Sequence, residues 1–293
     1  AVDGYAAESM TDAERPIGTS IIVFLAVVAG VLGSGVVALV ETFGWPTTMT
    51  CASLLLLGAA TPAIIRREPP PPEASRKRRE RGERPNLWKA VKRPEARYIL
   101  PFLFCFGFGG AFFGAMVGPF LADKGLSLTQ FGILSPISAI AGSGLAALVT
   151  PILIRNFGVR TAAIVGLSIL PIEGVVFMVF ALMPGLPPLP IFVTIVALLG
   201  FGTAIYSFAV NNSRFRWASK AQAATDYSMQ SSLWNFGIWV AGSLAGFVVA
   251  AVGWAIFFPL AAGLATAFAL FYVLTFERIE ALVQAREADE LAD

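Results

Sequence analysis

The chain has 293 residues, 56% of them hydrophobic and only 14% charged, with a net charge of +2. A soluble domain carries nearer one quarter charged residues, so most of this surface faces something other than water. The absence of histidine excludes imidazole metal sites and histidine-based triads. The two cysteines, Cys51 and Cys105, lie inside apolar runs and read as small buried hydrophobes, not as a disulfide framework or a thiolate zinc site.

The opening segment 1–16 has no basic stretch followed by a short apolar one, so it does not read as a secretory signal. It also lacks an initiator methionine, and the natural start is expected upstream. Eight apolar runs long enough to cross about 30 Å of hydrocarbon then follow: 21–40, 45–65, 98–122, 131–154, 161–186, 189–210, 227–252 and 254–276. Glu173 is the one charge inside them. Their length, and the absence of polar alternation, exclude a strand barrel. The fold class is therefore an all-α integral membrane protein with about eight transmembrane helices.

The basic residues sort onto one side of these spans. Arg15, twelve Lys and Arg between 66 and 97, Arg155 and Arg160, Arg214, Arg216 and Lys220, and Arg278 and Arg286 all fall on one face, leaving Lys124 on the other. The positive-inside rule makes the basic face cytoplasmic and places both ends of the chain there. Removing one span would scramble this agreement.

The segment 66–97 divides the chain. EPPPPEAS at 68–75 is an extended spacer. The basic run 76–84 reads as a topology anchor, with an anionic-lipid or regulatory contact as the alternative. NLWKAVKRPEAR at 86–97 could lie along the cytoplasmic interface with Leu87, Trp88 and Val91 toward lipid. On either side of this linker the sequence repeats weakly. Laid without gaps, 19–45 and 228–254 share Gly-Ser (Gly33-Ser34 and Gly242-Ser243) and a terminal Gly-Trp, and Ala1-Val2-Asp3 parallels Ala209-Val210-Asn211 one residue out of register. Repeated bundles with a site between them mark secondary transporters. If the first run matches the seventh, two six-helix halves are implied. The expected division is then 1–66 as the remnant of a first half, 67–96 as the linker, 97–280 as a six-helix bundle and 281–293 as a cytoplasmic tail. About four helices are expected in front.

Two six-helix halves joined by a long basic linker resemble the major facilitator superfamily. Segment 1–21 resembles the region of the fourth and fifth helices in the anhydromuropeptide permease branch. Segment 223–254 resembles that branch's eleventh helix, and Thr225-Asp226-Tyr227-Ser228-Met229-Gln230 looks closer to siderophore permeases of the rhizobactin and pyochelin type. The superfamily's loop signature is present only as the degenerate Arg155-Asn156-Phe157-Gly158-Val159-Arg160. The resemblance implies a partial major facilitator fold in a bacterial inner membrane, monomeric in full-length form. It also implies a proton-coupled importer of a medium-sized polar solute, with a siderophore ahead of an anhydromuropeptide. The competing class is a non-transporting membrane sensor or assembly subunit derived from a transporter. An enzyme is disfavoured, since there is no histidine and no Gly-rich phosphate loop. No cofactor, metal or nucleic acid is expected; the partners are a small solute and membrane lipid.

The resemblance also points to 98–122 and 189–210 as cavity-lining helices. On the second, Thr203, Ser207, Asn211 and Arg214 recur at helical spacing, with Tyr206 and Asn212 beside them. On the next helix, Asp226, Gln230 and Trp234, and Tyr227, Ser231 and Asn235, form two i, i+4 series. The substrate-binding candidates are Tyr206, Ser207, Asn211, Gln230, Trp234 and Asn235, against the alternative that they join helices. Coupling or gating candidates are Glu173, Asp226 and Arg214. Asp226 could pair with Arg214, Arg216 or a substrate cation, but a helix-capping role is favoured. Arg214 could simply sit among lipid headgroups. Glu173 is a proton-site candidate against a structural alternative. The phenylalanines and Gly109-Gly110 of 98–122 could stack on solute and let the helix bend.

Overall fold

Without water in hydrocarbon, every backbone polar group must bond internally, and the helix achieves this within one segment. The described parts of the eight apolar runs fall on helices in the computed structural model, which describes residues 10–11, 13–65, 76, 85–125, 128–185 and 200–292. Helix α1 is Arg15–Phe43, α2 Trp45–Ile65, α3 Leu87–Val91, α4 Ala96–Gly114, α5 Val117–Asp123, α6 Leu128–Leu167, α7 Ile169–Leu182, α8 Thr203–Trp217, α9 Ala223–Val252 and α10 Trp254–Ala292. No strand occurs among the described residues. The first three residues, most of the basic linker and 189–199 of the sixth run lie outside them.

Four helical stretches among the described residues are long and apolar enough to cross a membrane: Ala96–Asp123, Ala139–Leu182, Ala223–Val252 and Trp254–Glu290. The second is divided at Gly158, whose φ of 84 and ψ of 161 are non-helical, so it accounts for both the fourth and fifth runs. The same device closes the repeat noted above. Gly44 and Gly253 both have φ of 75, and in each case the following Trp opens the next helix. A side chain is strained in that left-handed region and glycine is not. The outer surface suits lipid: Leu54, Leu55, Leu56 and Leu57 of α2 are all exposed, as are Trp239 and Phe247 of α9. Cys51 is exposed on α2 and Cys105 is half-buried, which corrects their reading as buried hydrophobes.

Packing brings α4 against α9 at backbone distance. A Cβ at Gly107 would lie 2.1 Å from the Trp234 carbonyl oxygen, and one at Gly237 would lie 2.2 Å from that of Phe104. Small residues allow this approach where hydrophobic burial gives no drive between helices. Helix α4 runs unbroken through its glycines and ends at Gly114, so its break falls at Ala115–Met116. A cluster of Phe112, Phe113, Phe120, Phe177, Phe257 and Phe258 fills one end of the bundle. There Lys124 donates to the carbonyls of Ala181 and Met183 at 2.8 and 2.7 Å. A second cluster with Tyr206, Trp217 and Tyr272 fills the middle and the other end. Helix α1 lies against α6 and α8, with Val23 and Phe24 on Ala146, Ala204, Ile205 and Phe208.

Candidate functional site

Three glycines of α4 and the inward faces of α7, α8, α9 and α10 leave a cavity of about 300 Å³. Phe106, Phe113, Phe268, Tyr206 and Trp234 supply its aromatic walls, and Gly107, Gly109 and Gly110 expose flat backbone. Thr203, Ser207 and Glu173 bring polar groups. The rings are ordered against each other. Phe106 stacks on Trp234 at 6.0 Å and 25°, and meets Tyr206 edge-on at 5.1 Å and 90°. Such offset and T-shaped pairs follow the ring quadrupole.

Two of the cavity's polar groups have unfilled hydrogen-bonding capacity. Glu173 is 1% exposed and its Oε1 has no hydrogen-bond partner; the Tyr206 hydroxyl, on a residue 5% exposed, has none either. Most buried polar atoms are satisfied, so two such atoms lining one cavity call for an explanation. The sequence offered Glu173 as a proton site or a structural residue. The structure brings it to the same cavity as Tyr206, Ser207 and Trp234.

The other candidates go elsewhere. Asn211 donates through Nδ2 to the Ser207 carbonyl at 2.9 Å and accepts from Arg214 Nη1 at 2.9 Å. Asn235 is exposed and its amide bonds the Ser231 carbonyl of its own helix at 2.8 Å. Gln230 is buried beside Arg93, Asp226 and Arg286. The candidates Ser207, Asn211, Gln230 and Asn235 are therefore split among four surroundings. Arg214 is fully buried, which corrects the headgroup reading. Its guanidinium lies 4.6 Å from the Tyr227 ring and 4.8 Å from the Trp234 ring, and Nη2 donates to Ser231 Oγ at 2.6 Å. Trp234 thus has Arg214 over it and forms part of the cavity wall, a cation–π contact strengthened by desolvation.

Asp226 does lie in the first turn of α9, as the helix-terminal reading expected, but it caps no amide of that helix and pairs with neither Arg214 nor Arg216. Its carboxylate takes Arg93 from the end of the linker, the Gln222 Nε2 at 2.7 Å and the Ser219 backbone N–H at 3.0 Å. Around it, Glu95 holds Arg286 at 2.7 Å, Arg286 donates to the Trp217 carbonyl at 3.0 Å, and Arg216 pairs with Glu287 and Glu280. The side chain of Asn86 caps α3, and its backbone N–H donates to Gln222 Oε1 at 3.1 Å. The linker's end is thereby tied to the turn before α9, to α9 and to α10.

Sequence reasoning missed this cluster because its partners are 133 and 191 residues apart. It also missed the capping box at α1. There Thr11 Oγ1 donates to Glu14 Oε2 at 2.7 Å, and Glu14 N–H donates to Thr11 Oγ1 at 3.4 Å. That one was readable as Thr-x-x-Glu before an apolar run. Residues 1–172 match the family described as Major Facilitator Superfamily.

Proposed function

The chain belongs to the major facilitator superfamily and is a multi-pass membrane protein of the secondary-transporter type; from that premise we propose that it imports a siderophore, ahead of an anhydromuropeptide, across a bacterial inner membrane in symport with protons. The observation that carries this reading is the cavity in which Glu173 and Tyr206 meet Ser207 and Trp234. A carboxyl group buried in a membrane bundle is costly unless it serves an ion, a proton or a solute. In this proposal Glu173 takes up and releases the coupling proton. Tyr206, Ser207 and Trp234 contact the solute. Arg214 and Asp226 act as gating elements, Arg214 through Trp234 and Asp226 by tying the linker to α9. The one-sided Lys and Arg distribution supports cytoplasmic termini and linker, with 281–293 as the tail. The string Thr225–Gln230 supports the siderophore over the muropeptide.

The test is uptake by cells expressing the full-length gene. Labelled ferric siderophore accumulates in a saturable way, a protonophore abolishes the accumulation, and labelled anhydromuropeptide gives a weaker signal. Uptake of neither solute above vector control refutes the proposal. Retention of protonophore-sensitive accumulation by Glu173→Gln removes that residue from coupling.

A further inference from the structure

We infer that the cavity between α4, α7, α8, α9 and α10 is a binding site for one aryl arm of the solute, a ring system bearing a hydroxyl on its edge. This rests on the transport reading above and names the chemistry that its cavity selects. Three observations converge. The volume, about 300 Å³, lies at the small end of ligand pockets, so it suits a ring system and not the whole of a medium-sized solute. The walls are aromatic on Phe106, Phe113, Phe268 and Trp234, with the flat glycine backbone of α4 among them, which offers ring faces and little that could grip a sugar or a flexible polar chain. The third observation is the pair of unfilled polar atoms, Glu173 Oε1 and the Tyr206 hydroxyl, both buried and both on residues lining this cavity.

A ring hydroxyl supplies a missing partner, donating to Glu173 Oε1 or accepting from the Tyr206 hydroxyl, while its ring lies among the aromatic walls. An unsubstituted ring would fill the same space and leave both atoms without partners, a penalty that falls on the ligand lacking the group. Water could also reach these atoms, and the experiment separates that case.

The probes are indole and 5-hydroxyindole, which share a ring system and differ by one hydroxyl. Their affinities are measured by titration calorimetry on the purified full-length protein. Tyr206→Phe and Glu173→Leu are used once each has been shown to be monodisperse and thermally stable. The expected result is a roughly threefold to tenfold preference for 5-hydroxyindole in the wild type, the equivalent of one hydrogen bond. The preference disappears in at least one of the two variants, which keeps its affinity for indole. Equal affinities in the wild type mean that water satisfies the two atoms, and they overturn the inference. So does a preference that survives both substitutions, or the absence of saturable binding by either probe. Siderophore and muropeptide uptake is measured with the same protein. Ring preference without uptake leaves the aryl site standing and removes the proposed solutes; uptake without ring preference does the reverse.

Discussion

Asp226 and Glu173 are equally buried, at 2% and 1% exposure, yet they live in opposite surroundings. Asp226 has an arginine, a side-chain amide and a backbone N–H on its carboxylate. Glu173 faces an aromatic cavity with one oxygen unbonded. Removing a charged group from water costs several kcal/mol, and only close partners offset it. A carboxylate so fully paired is suited to fastening elements together. One left with unused capacity suits the transient partner proposed above.

The contrast predicts different responses to mutation. Asp226→Ala leaves Arg93 without its partner and should cost roughly 3–5 kcal/mol, nearer the lower value because the Arg93 side chain is 20% exposed. Thermal unfolding in detergent measures it, and a midpoint equal to wild type would dissolve the distinction between the two carboxylates. The double variant Asp226→Leu with Arg93→Met removes both charges and should regain part of that loss. Recovery stays incomplete because Ser219 N–H and Gln222 also lose their acceptor.

Glu173→Gln sharpens the comparison from the other side. Stability should change by less than about 1 kcal/mol, since no hydrogen bond to Oε1 is lost, while accumulation against a gradient disappears and solute exchange persists. A large drop in unfolding temperature would make Glu173 a structural residue after all.

The smallest effect belongs to Glu14, an exposed carboxylate. Its hydrogen bonds from the Thr11 hydroxyl and then the Thr11 backbone hold its pKa below the ordinary 4.5. A lowered folded value means that its contribution is present above the ordinary value and is lost as pH falls through the folded one. Acid titration of wild type against Glu14→Gln should show a difference at neutral pH that closes below pH 4.5.

The spans were legible because hydrocarbon imposes length and polarity on each segment alone. The sidedness proposed above rests on the count of Lys and Arg in chain order. Tyr206, Ser207 and Trp234 were found by helical spacing, and Glu173 by being the one mid-span charge. Its place in the same cavity depended on Gly166 and Gly174 letting α6 and α7 close on Tyr206 and Ala262, which no spacing rule reveals. Asn211 and Asn235 misled because i, i+4 polarity serves a helix's own carbonyls as readily as a ligand. Asp226 was misread because its partner arrives from the linker.

Helix α10 runs for 39 residues without a non-helical interruption, despite Pro259. At 1.5 Å per residue that is ~58 Å, nearly twice the hydrocarbon thickness, so a charged shaft carrying Arg286 and Glu290 projects beyond the bilayer. Its inner portion packs on α7 at Phe258 and Ala262, and its outer portion holds Glu95 and Arg216. With Ile279 and Val283 also in the bundle core, the outer portion is fastened to its neighbours, so a tilt of α10 near the cavity would be carried to α8 and to the linker's end.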